Sequence, residues 1–345
     1  MIRISVCMIV KDEAKSLPRC LDSLSGIADE IIIADTGSRD NTKQVAAGYT
    51  DKIFDFAWTG DFAAARNFAF SKAAMDFIYS ADADEMLDAE NRRRFLLLKQ
   101  SLPPETDVVQ MKYTNQLYYN TTYNFDTEYR PKLFRRLRTF RWTGPVHETV
   151  ELTARVWNSD VTVIHMPAGA HAGRDLALLL AASRRGPLDS RLHRMYAKEL
   201  FIGGTDEDFA GALPYFESVL HDESRSVEDV RAAQCVAARA ARLKGDDALL
   251  IKTALKNVIS DPCAEICCEL GHYYRAAGDF EEAATWYYTA AFRAQSELDI
   301  RASGKIPLAM LAQCYDALGC PREAEQYRSK AAAWAPPQPE AGGNG

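Results

Sequence analysis

The sequence contains no long hydrophobic run. Its first ten residues are mostly apolar but lead directly into a charged Lys-Asp-Glu segment. A membrane-spanning helix needs about 20 apolar residues, and a signal peptide has a different layout. No later stretch approaches a span. We therefore expect a chain with neither a transmembrane segment nor a secretory signal.

A strong excess of one charge is also missing. The 345 residues include 41 basic and 48 acidic side chains, which gives a net charge of -7. Proteins whose main partner is a nucleic acid or an anionic membrane usually carry a strongly basic surface. The composition therefore predicts no nucleic-acid partner, although a local basic patch remains possible.

The eight cysteines follow no regular spacing. Without a secretory signal, irregular cysteines are better interpreted as reduced thiols than as a disulfide framework. We therefore expect a cytoplasmic protein.

The first half of the chain alternates short β-rich runs with helical patterns, which is typical of an α/β domain on a largely parallel sheet. The predicted strands cover residues 2–10, 31–34, 52–56 and 76–80, with a helix at 62–72. Ligands of such sheets bind at the carboxyl ends of the strands. The polar segments that follow the strands, at 11–13, 35–38 and 82–85, should therefore meet in one crevice.

The second half is rich in alanine, with short Gly/Asp turns between predicted helices. One segment has the small and aromatic spacing of a tetratricopeptide repeat at Leu270, Gly271, Tyr274, Ala283, Tyr287 and Ala290. We expect an α/β domain at 1–172, a connecting helix or linker at 173–190, helical repeats at 191–334 and a disordered tail at 335–345.

Two carboxylates follow the fourth predicted strand, in the sequence Asp82-Ala83-Asp84-Glu85. Carboxylates one residue apart suit a hard divalent cation that is shared with a diphosphate. The alternative is a solvated acidic turn, which is common in loops.

Asp35 ends the second predicted strand and is followed by a glycine turn. An aspartate there can accept a hydrogen bond from a base or a ribose, and glycine lets the backbone approach a ligand. The alternative is a turn that caps the next helix.

These segments, in the order SVCMIVKDE, DEIIIADTGSRDNT, DFAAARNFAF and DADE, resemble the family 2 glycosyltransferases with the GT-A (Rossmann-like) fold. The resemblance covers residues 2 to about 165. The WTGPVHE segment and the helical repeats are also similar to branches that include lipooligosaccharide glucosyltransferases and sublancin-type peptide S-glycosyltransferases.

The resemblance implies a role for each matching position. It implies contacts to the nucleobase and ribose for Val10, Asp12 and Asp35, a contact to the base or phosphates for Arg66, and a place beside the ribose and the metal for Asp82. It implies that Asp84 and His165 are metal ligands. Arg66 could instead lie on a solvated or salt-bridged helix face, and His165 could be a core histidine.

The same resemblance places residues 142–148 on the acceptor side. Inverting transfer needs a base that takes the acceptor proton. Glu148 and His147 are the candidates, with Glu148 preferred and Glu85 a third possibility.

A dense basic run lies just before this segment, at Arg130, Lys132, Arg135, Arg136, Arg138 and Arg141. It is more often a solvated hairpin face than a site. If functional, it would contact the donor diphosphate or an anionic acceptor.

Together these patterns and the resemblance indicate a metal-dependent glycosyltransferase, and the resemblance alone implies that the transfer is inverting. It would use Mn or Mg and move a sugar from a UDP-sugar to a glycan, peptide or protein, with a possible homodimer through the repeats. One alternative is an inactive repeat scaffold, which the intact DADE segment disfavours. The other is a nucleotidyltransferase, which would usually show a glycine-rich phosphate loop after the first strand.

Overall fold

The computed structural model of the protein describes residues 1–114, 128–146, 148–150, 155–166, 172–259 and 261–336. The chain divides into two units, Met1–Ala170 and His171–Gln338. We call them the α/β unit and the helical unit. Most of the expected tail, residues 337–345, lies outside the described residues.

The α/β unit contains ten strands and four helices among its described residues. The strands are β1 (Ile4–Val10), β2 (Glu30–Asp35), β3 (Ile53–Asp55), β4 (Phe77–Ala81), β5 (Glu85–Met86), β6 (Val108–Thr114), β7 (Glu128–Arg135), β8 (Trp142–Thr143), β9 (Thr149–Val150) and β10 (Val156–His165). The helices are α1 (Leu17–Ser23), α2 (Thr42–Ala47), α3 (Phe62–Ser71) and α4 (Ala89–Ser101), and a 3-10 turn covers Arg136–Arg138.

Eight of these strands form one mixed sheet in the order β3-β2-β1-β4-β7-β6-β10-β5. The first four are parallel neighbours, whereas β7 runs antiparallel between β4 and β6. β8 and β9 form a separate two-stranded sheet. The α/β fold class and the four predicted strands are therefore confirmed, with bounds that shift by up to two residues.

The buried central strand β1 explains why helices cover both faces of the sheet. Ile4, Val6 and Met8 pack into the same core as α1. Cys7 points to the other face, where it joins residues of α3. Successive strand residues point to opposite faces, so a strand buried on both sides reads as a continuous apolar run.

The helical unit contains nine described helices. They are α5 (Ala172–Ser183), α6 (Ser190–Gly203), α7 (Asp206–Val219), α8 (Val227–Lys244), α9 (Asp247–Val258), α10 (Ala264–Ala276), α11 (Phe280–Phe292), α12 (Lys305–Ala317) and α13 (Pro321–Ala333), with a 3-10 turn at Ile300–Ser303. Within the described part of the chain, no helix is long and apolar enough to cross a membrane.

Left-handed glycines lie at the turns that follow α8, α10 and α12. Gly245, Gly278 and Gly319 have φ values of 75°, 82° and 72°. Glycine adopts this conformation without a Cβ penalty and commonly ends a helix. The Gly/Asp turns seen in the sequence therefore do separate helices, as predicted.

The small and aromatic positions of the predicted repeat form the packing between helices. Tyr287 of α11 is fully buried, and its ring lies so close to Gly271 of α10 that a Cβ there would be 2.6 Å from a ring carbon. The thiols of Cys263, Cys267 and Cys268 are buried nearby. All eight cysteines of the chain are described and are free thiols.

Candidate functional site

The polar segments expected to form a crevice follow three adjacent parallel strands. β1 lies between β2 and β4, so the carboxyl ends of all three share one edge of the sheet. Val10, the last residue of β1, pairs with Asp35, the last residue of β2, and its carbonyl accepts the Thr36 N–H at 2.9 Å. This edge is where open α/β sheets bind ligands.

Asp35 is buried, and the described protein groups bond only one of its two carboxylate oxygens. Its Oδ1 accepts the N–H groups of Gly37 and Ser38, both at 2.9 Å. Its Oδ2 is buried and has no hydrogen-bond partner among the described residues. An unsatisfied buried carboxylate oxygen is costly, so this atom is suited to accept an N–H or O–H from a ligand.

Asp12 joins the loops after β1 and β2. Its backbone is left-handed, with φ of 56°, and its Oδ1 accepts the N–H groups of Arg39 at 2.6 Å and Asp40 at 3.3 Å. Its own N–H donates to the Ser38 hydroxyl at 3.0 Å. Asp12 therefore shapes the loop that carries Asp35, and its carboxylate has its own intramolecular partners.

Arg66 of α3 reaches β4 and the acidic segment that follows it. Its Nη2 donates to Asp82 at 2.8 Å, its Nη1 donates to Ser80 at 3.0 Å, and its Nε donates to Glu148. Burial disfavours the charged guanidinium, but Asp82 and Glu148 outweigh this and hold the pKa of Arg66 above its ordinary value. Arg66 is thus salt-bridged, as one alternative had it, and one partner is Asp82 of the segment 82–85.

The same pairing acts on Asp82. Burial disfavours its carboxylate, yet Arg66 and Lys132 together hold the pKa of Asp82 well below its usual range. Asp82 therefore stays ionised at neutral pH, as a residue beside a cation would have to be.

Asp84 and His165 lie side by side across the antiparallel pair β5 and β10. The Nε2 of His165 is 3.3 Å from the Oδ2 of Asp84, and both side chains are largely buried. The His165 ring packs on Tyr113 with 5.2 Å between centroids. Tertiary structure therefore brings together two residues that are 81 positions apart in the chain.

A carboxylate and an imidazole are a donor set that fits a divalent metal. Among the described residues, no group of three His, Cys, Asp or Glu side chains could hold a metal ion. Two protein ligands nevertheless suit Mg or Mn, since such ions often take their remaining ligands from water and substrate phosphates.

A buried ion pair supports the acidic loop, residues 82–85, and sequence reasoning missed it. Lys132 of β7 donates to both oxygens of Glu85 at 2.7 and 2.8 Å. Glu85 also accepts the Asp82 N–H at 3.2 Å and is the strand neighbour of His165. Burial raises the pKa of Glu85 even though Lys132 opposes that shift. Glu85 is 2% exposed, and its contacts are those of a residue that supports the loop.

The expectation that the basic run forms a solvated hairpin face is wrong for Lys132, which is 5% exposed. Arg135 and Arg138 both pair with Asp107, at 3.1 and 2.9 Å, and Arg136 donates to the Met75 carbonyl at 2.6 Å. The strand period places Arg130 and Lys132 on one face, but sequence alone does not say which face is buried.

The expected acceptor segment is fastened to α3. Asn67 accepts the Trp142 N–H and donates to the Trp142 carbonyl, each at 2.9 Å. The Phe62 N–H donates to the Pro145 carbonyl at 2.9 Å. Glu148 lies beside Arg66, whereas His147, the other candidate base, lies outside the described residues.

Comparison with known proteins agrees with this geometry. Residues 5–154 match the family described as Glycosyl transferase family 2. The match spans 150 of the 345 residues, so this part of the chain resembles a family 2 glycosyl transferase, and its mixed sheet with helices on both faces fits the α/β fold expected from that resemblance. The described helices of the second unit follow it.

The chain is similar to a TPR repeat-containing protein of Synechococcus elongatus, with 37% identity over 153 residues, or 44% of this chain and 36% of that protein. It is also similar to the SPbeta prophage-derived glycosyltransferase SunS of Bacillus subtilis (strain 168), with 28% identity over 148 residues, or 41% and 33% of the two chains.

Among solved structures, the TarS 1–349 fragment of S. aureus in complex with UDP-GlcNAc has 13% identity and a TM-score of 0.37, covering 84% of this chain and 91% of that chain. The chain spans between 30% and 36% of the length of the curated relatives that it matches.

Proposed function

We propose that the protein is an inverting, metal-dependent glycosyltransferase that moves a sugar from a nucleotide-diphosphate sugar, a UDP-hexose, to a glycan, peptide or protein. The observation that carries the proposal is the convergence of Asp35, Arg66 and the Asp84–His165 pair on one edge of the sheet. Each group has a chemistry that a different part of such a donor needs.

The unpartnered Oδ2 of Asp35 would accept a hydrogen bond from the nucleobase or ribose. Val10 and Asp12 would form the wall beside it, because Val10 pairs with Asp35 and Asp12 fixes the adjoining loop. Asp82 and Arg66 follow on the next strand and helix, on the side of the ribose and phosphates. Arginine suits phosphate recognition because its planar donors match phosphate oxygens.

Asp84 and His165 would hold the divalent metal, Mn or Mg. The bound metal would supply neutralisation of the charge that develops on the leaving diphosphate. The residues themselves are already adjacent at 3.3 Å, so little reorganisation is needed to bring them to one ion.

In the transfer, an acceptor oxygen or sulfur forms a bond to C1 of the sugar while the bond from C1 to the diphosphate oxygen breaks. Attack from the opposite face inverts the configuration at C1. The acceptor proton passes to a base, for which His147 and Glu148 were the candidates.

The helical unit would recruit the acceptor or a second subunit, since stacked helical hairpins offer extended binding surfaces. The polar site groups described above all precede residue 166. The free thiols support a reducing compartment, for which we propose the cytoplasm.

Incubation with a panel of nucleotide sugars and Mn tests the function. Release of a nucleoside diphosphate is expected, whereas release of pyrophosphate would identify a nucleotidyltransferase.

Asp84→Ala should lower turnover by about 100-fold or more with the fold intact, because metal neutralisation contributes several kcal/mol. Asp160→Ala is a matched control, since Asp160 lies on β10 with its side chain 75% exposed. Equal turnover in both variants would remove Asp84 from the site.

A further inference from the structure

The guanidinium of Arg66 is held at all three of its nitrogens by different parts of the chain. Ser80 lies on β4, Asp82 belongs to the acidic loop, and Glu148 belongs to the segment after β8. The face of the guanidinium also packs on Trp142, 5.1 Å from the ring centroid. Because different groups bind the guanidinium from several sides, its orientation is fixed more firmly than a single hydrogen bond could fix it.

Glu148 provides the bond on the Nε side. Its side chain is 9% exposed, and its carboxylate pairs with Arg66. If this acceptor were lost, only the bonds to Ser80 and Asp82 and the Trp142 ring would hold the guanidinium, and its Nε edge would be free to tilt. The orientation of the donors that face the acidic loop therefore depends on Glu148.

The fold fixes Glu148 in this place through α3 itself. Asn67, the neighbour of Arg66, bonds both backbone groups of Trp142, and Phe62 at the start of α3 bonds the Pro145 carbonyl. The same helix therefore carries Arg66 and anchors the segment that leads to Glu148. These two attachments hold the backbone that leads to Glu148 close to α3, and they are therefore suited to keeping Glu148 beside Arg66.

We propose that Glu148 is a positioning residue that orients Arg66 toward the donor, and that it is not the base that receives the acceptor proton. The proposal rests on the glycosyltransferase function proposed above. It reassigns Glu148 from the role preferred on sequence grounds, because the structure aims its carboxylate at a donor-side arginine.

Glutamine distinguishes the two roles. Positioning needs only an oxygen that accepts the Arg66 Nε–H, which Glu148→Gln retains, whereas a base must take a proton, which glutamine does not do. Loss of a general base costs about 100-fold to 10,000-fold in rate. The positioning role predicts that Glu148→Gln lowers kcat by less than about tenfold, with an unchanged pH profile and a raised donor KM.

Glu148→Ala removes the acceptor altogether and should weaken UDP binding by more than about tenfold, measured by calorimetry with Mn. Combination with Arg66→Ala should add little to either single change, because the two residues act as one unit. A loss of kcat beyond 100-fold in Glu148→Gln with unchanged UDP affinity would overturn the proposal and return Glu148 to the role of candidate base.

The Arg66 Nε–H resonance tests positioning without any donor. It should persist in Glu148→Gln and shift or broaden away in Glu148→Ala. An unaltered resonance in Glu148→Ala would show that Glu148 does not hold Arg66. Absence of nucleotide binding in the wild-type protein would instead overturn the proposed function, and this spectrum would still decide the orientation of Arg66.

Discussion

Two equally buried carboxylates, one in each unit, use their oxygens differently. Glu265 of the helical unit is 1% exposed, and its two oxygens accept the N–H groups of Glu297, Leu298 and Asp299 at 2.7 to 3.0 Å. Asp35 of the α/β unit is also 1% exposed, but its Oδ2 has no partner in the described chain. Burial alone therefore does not mark a site, and what supports the proposed ligand contact of Asp35 is an unpartnered oxygen at the carboxyl edge of the sheet.

The contrast extends to the way each unit uses buried charge. In the α/β unit, Glu85 and Lys132 form a buried pair directly beneath the acidic loop. In the helical unit, much of the core consists of alanine, as in α8, and the turns end at left-handed glycines. The first unit therefore has a buried ion pair next to its candidate site, whereas the second, which also buries charged side chains such as Glu265, relies on close packing between helices.

The largest expected effect comes from breaking the buried pair. Lys132→Met leaves Glu85 without its cation, and removal of one partner of a buried pair costs about 3 to 5 kcal/mol of unfolding free energy. The loss should grow as the pH rises, because burial already raises the pKa of Glu85 and the variant removes the cation that opposes this. Urea denaturation at several pH values measures it.

Lys99→Met is the matched control, since Lys99 is 4% exposed and pairs with Asp29 at 2.6 Å away from the acidic loop. Both variants should be destabilised, but only Lys132→Met should also weaken the response to Mn. Equal responses to Mn in the two variants would show that the Glu85–Lys132 pair serves stability alone. The double change Glu85→Gln with Lys132→Met should recover part of the stability.

A second, smaller effect should distinguish the roles of Glu265 and Asp35. Glu265→Gln turns an amide NH2 toward backbone N–H groups and should cost about 1 to 3 kcal/mol. Asp35→Asn can keep an oxygen on Gly37 and Ser38, so its unfolding free energy should change by less than about 0.5 kcal/mol, while UDP affinity falls. Denaturation and calorimetry on the same samples decide this. A marked loss of stability in Asp35→Asn with intact UDP binding would contradict the contrast.

A third effect, on packing in the helical unit, should be similar in size to that of Glu265→Gln. Gly271→Ala forces the Tyr287 ring to move and should cost about 1 to 3 kcal/mol. Gly211→Ala places a Cβ at 3.7 Å from Leu180, an ordinary contact, and should stabilise α7 by about 0.5 to 1 kcal/mol. Thermal unfolding compares them. Stabilisation in both variants would mean that the ring adapts freely.

The sequence by itself predicted the first four strands, the helix at 62–72 and the positions of the acidic strand ends. Asp35 and Asp82 directly follow apolar runs, and parallel strands bring such ends to one edge. Local chemistry was sufficient there, because strand period and glycine turns depend on neighbours in the chain. The same reason explains the helix ends at Gly245 and Gly278.

Only the tertiary structure decided which side chains meet across long separations. Lys132 reaches Glu85 over 47 positions, and Glu148 reaches Arg66 over 82. The antiparallel entry of β7 between β4 and β6 sets the first pair, and the anchoring of the 142–148 segment on α3 sets the second. A shift of one residue in strand register would reverse the face of each β7 side chain, and no local pattern records that choice.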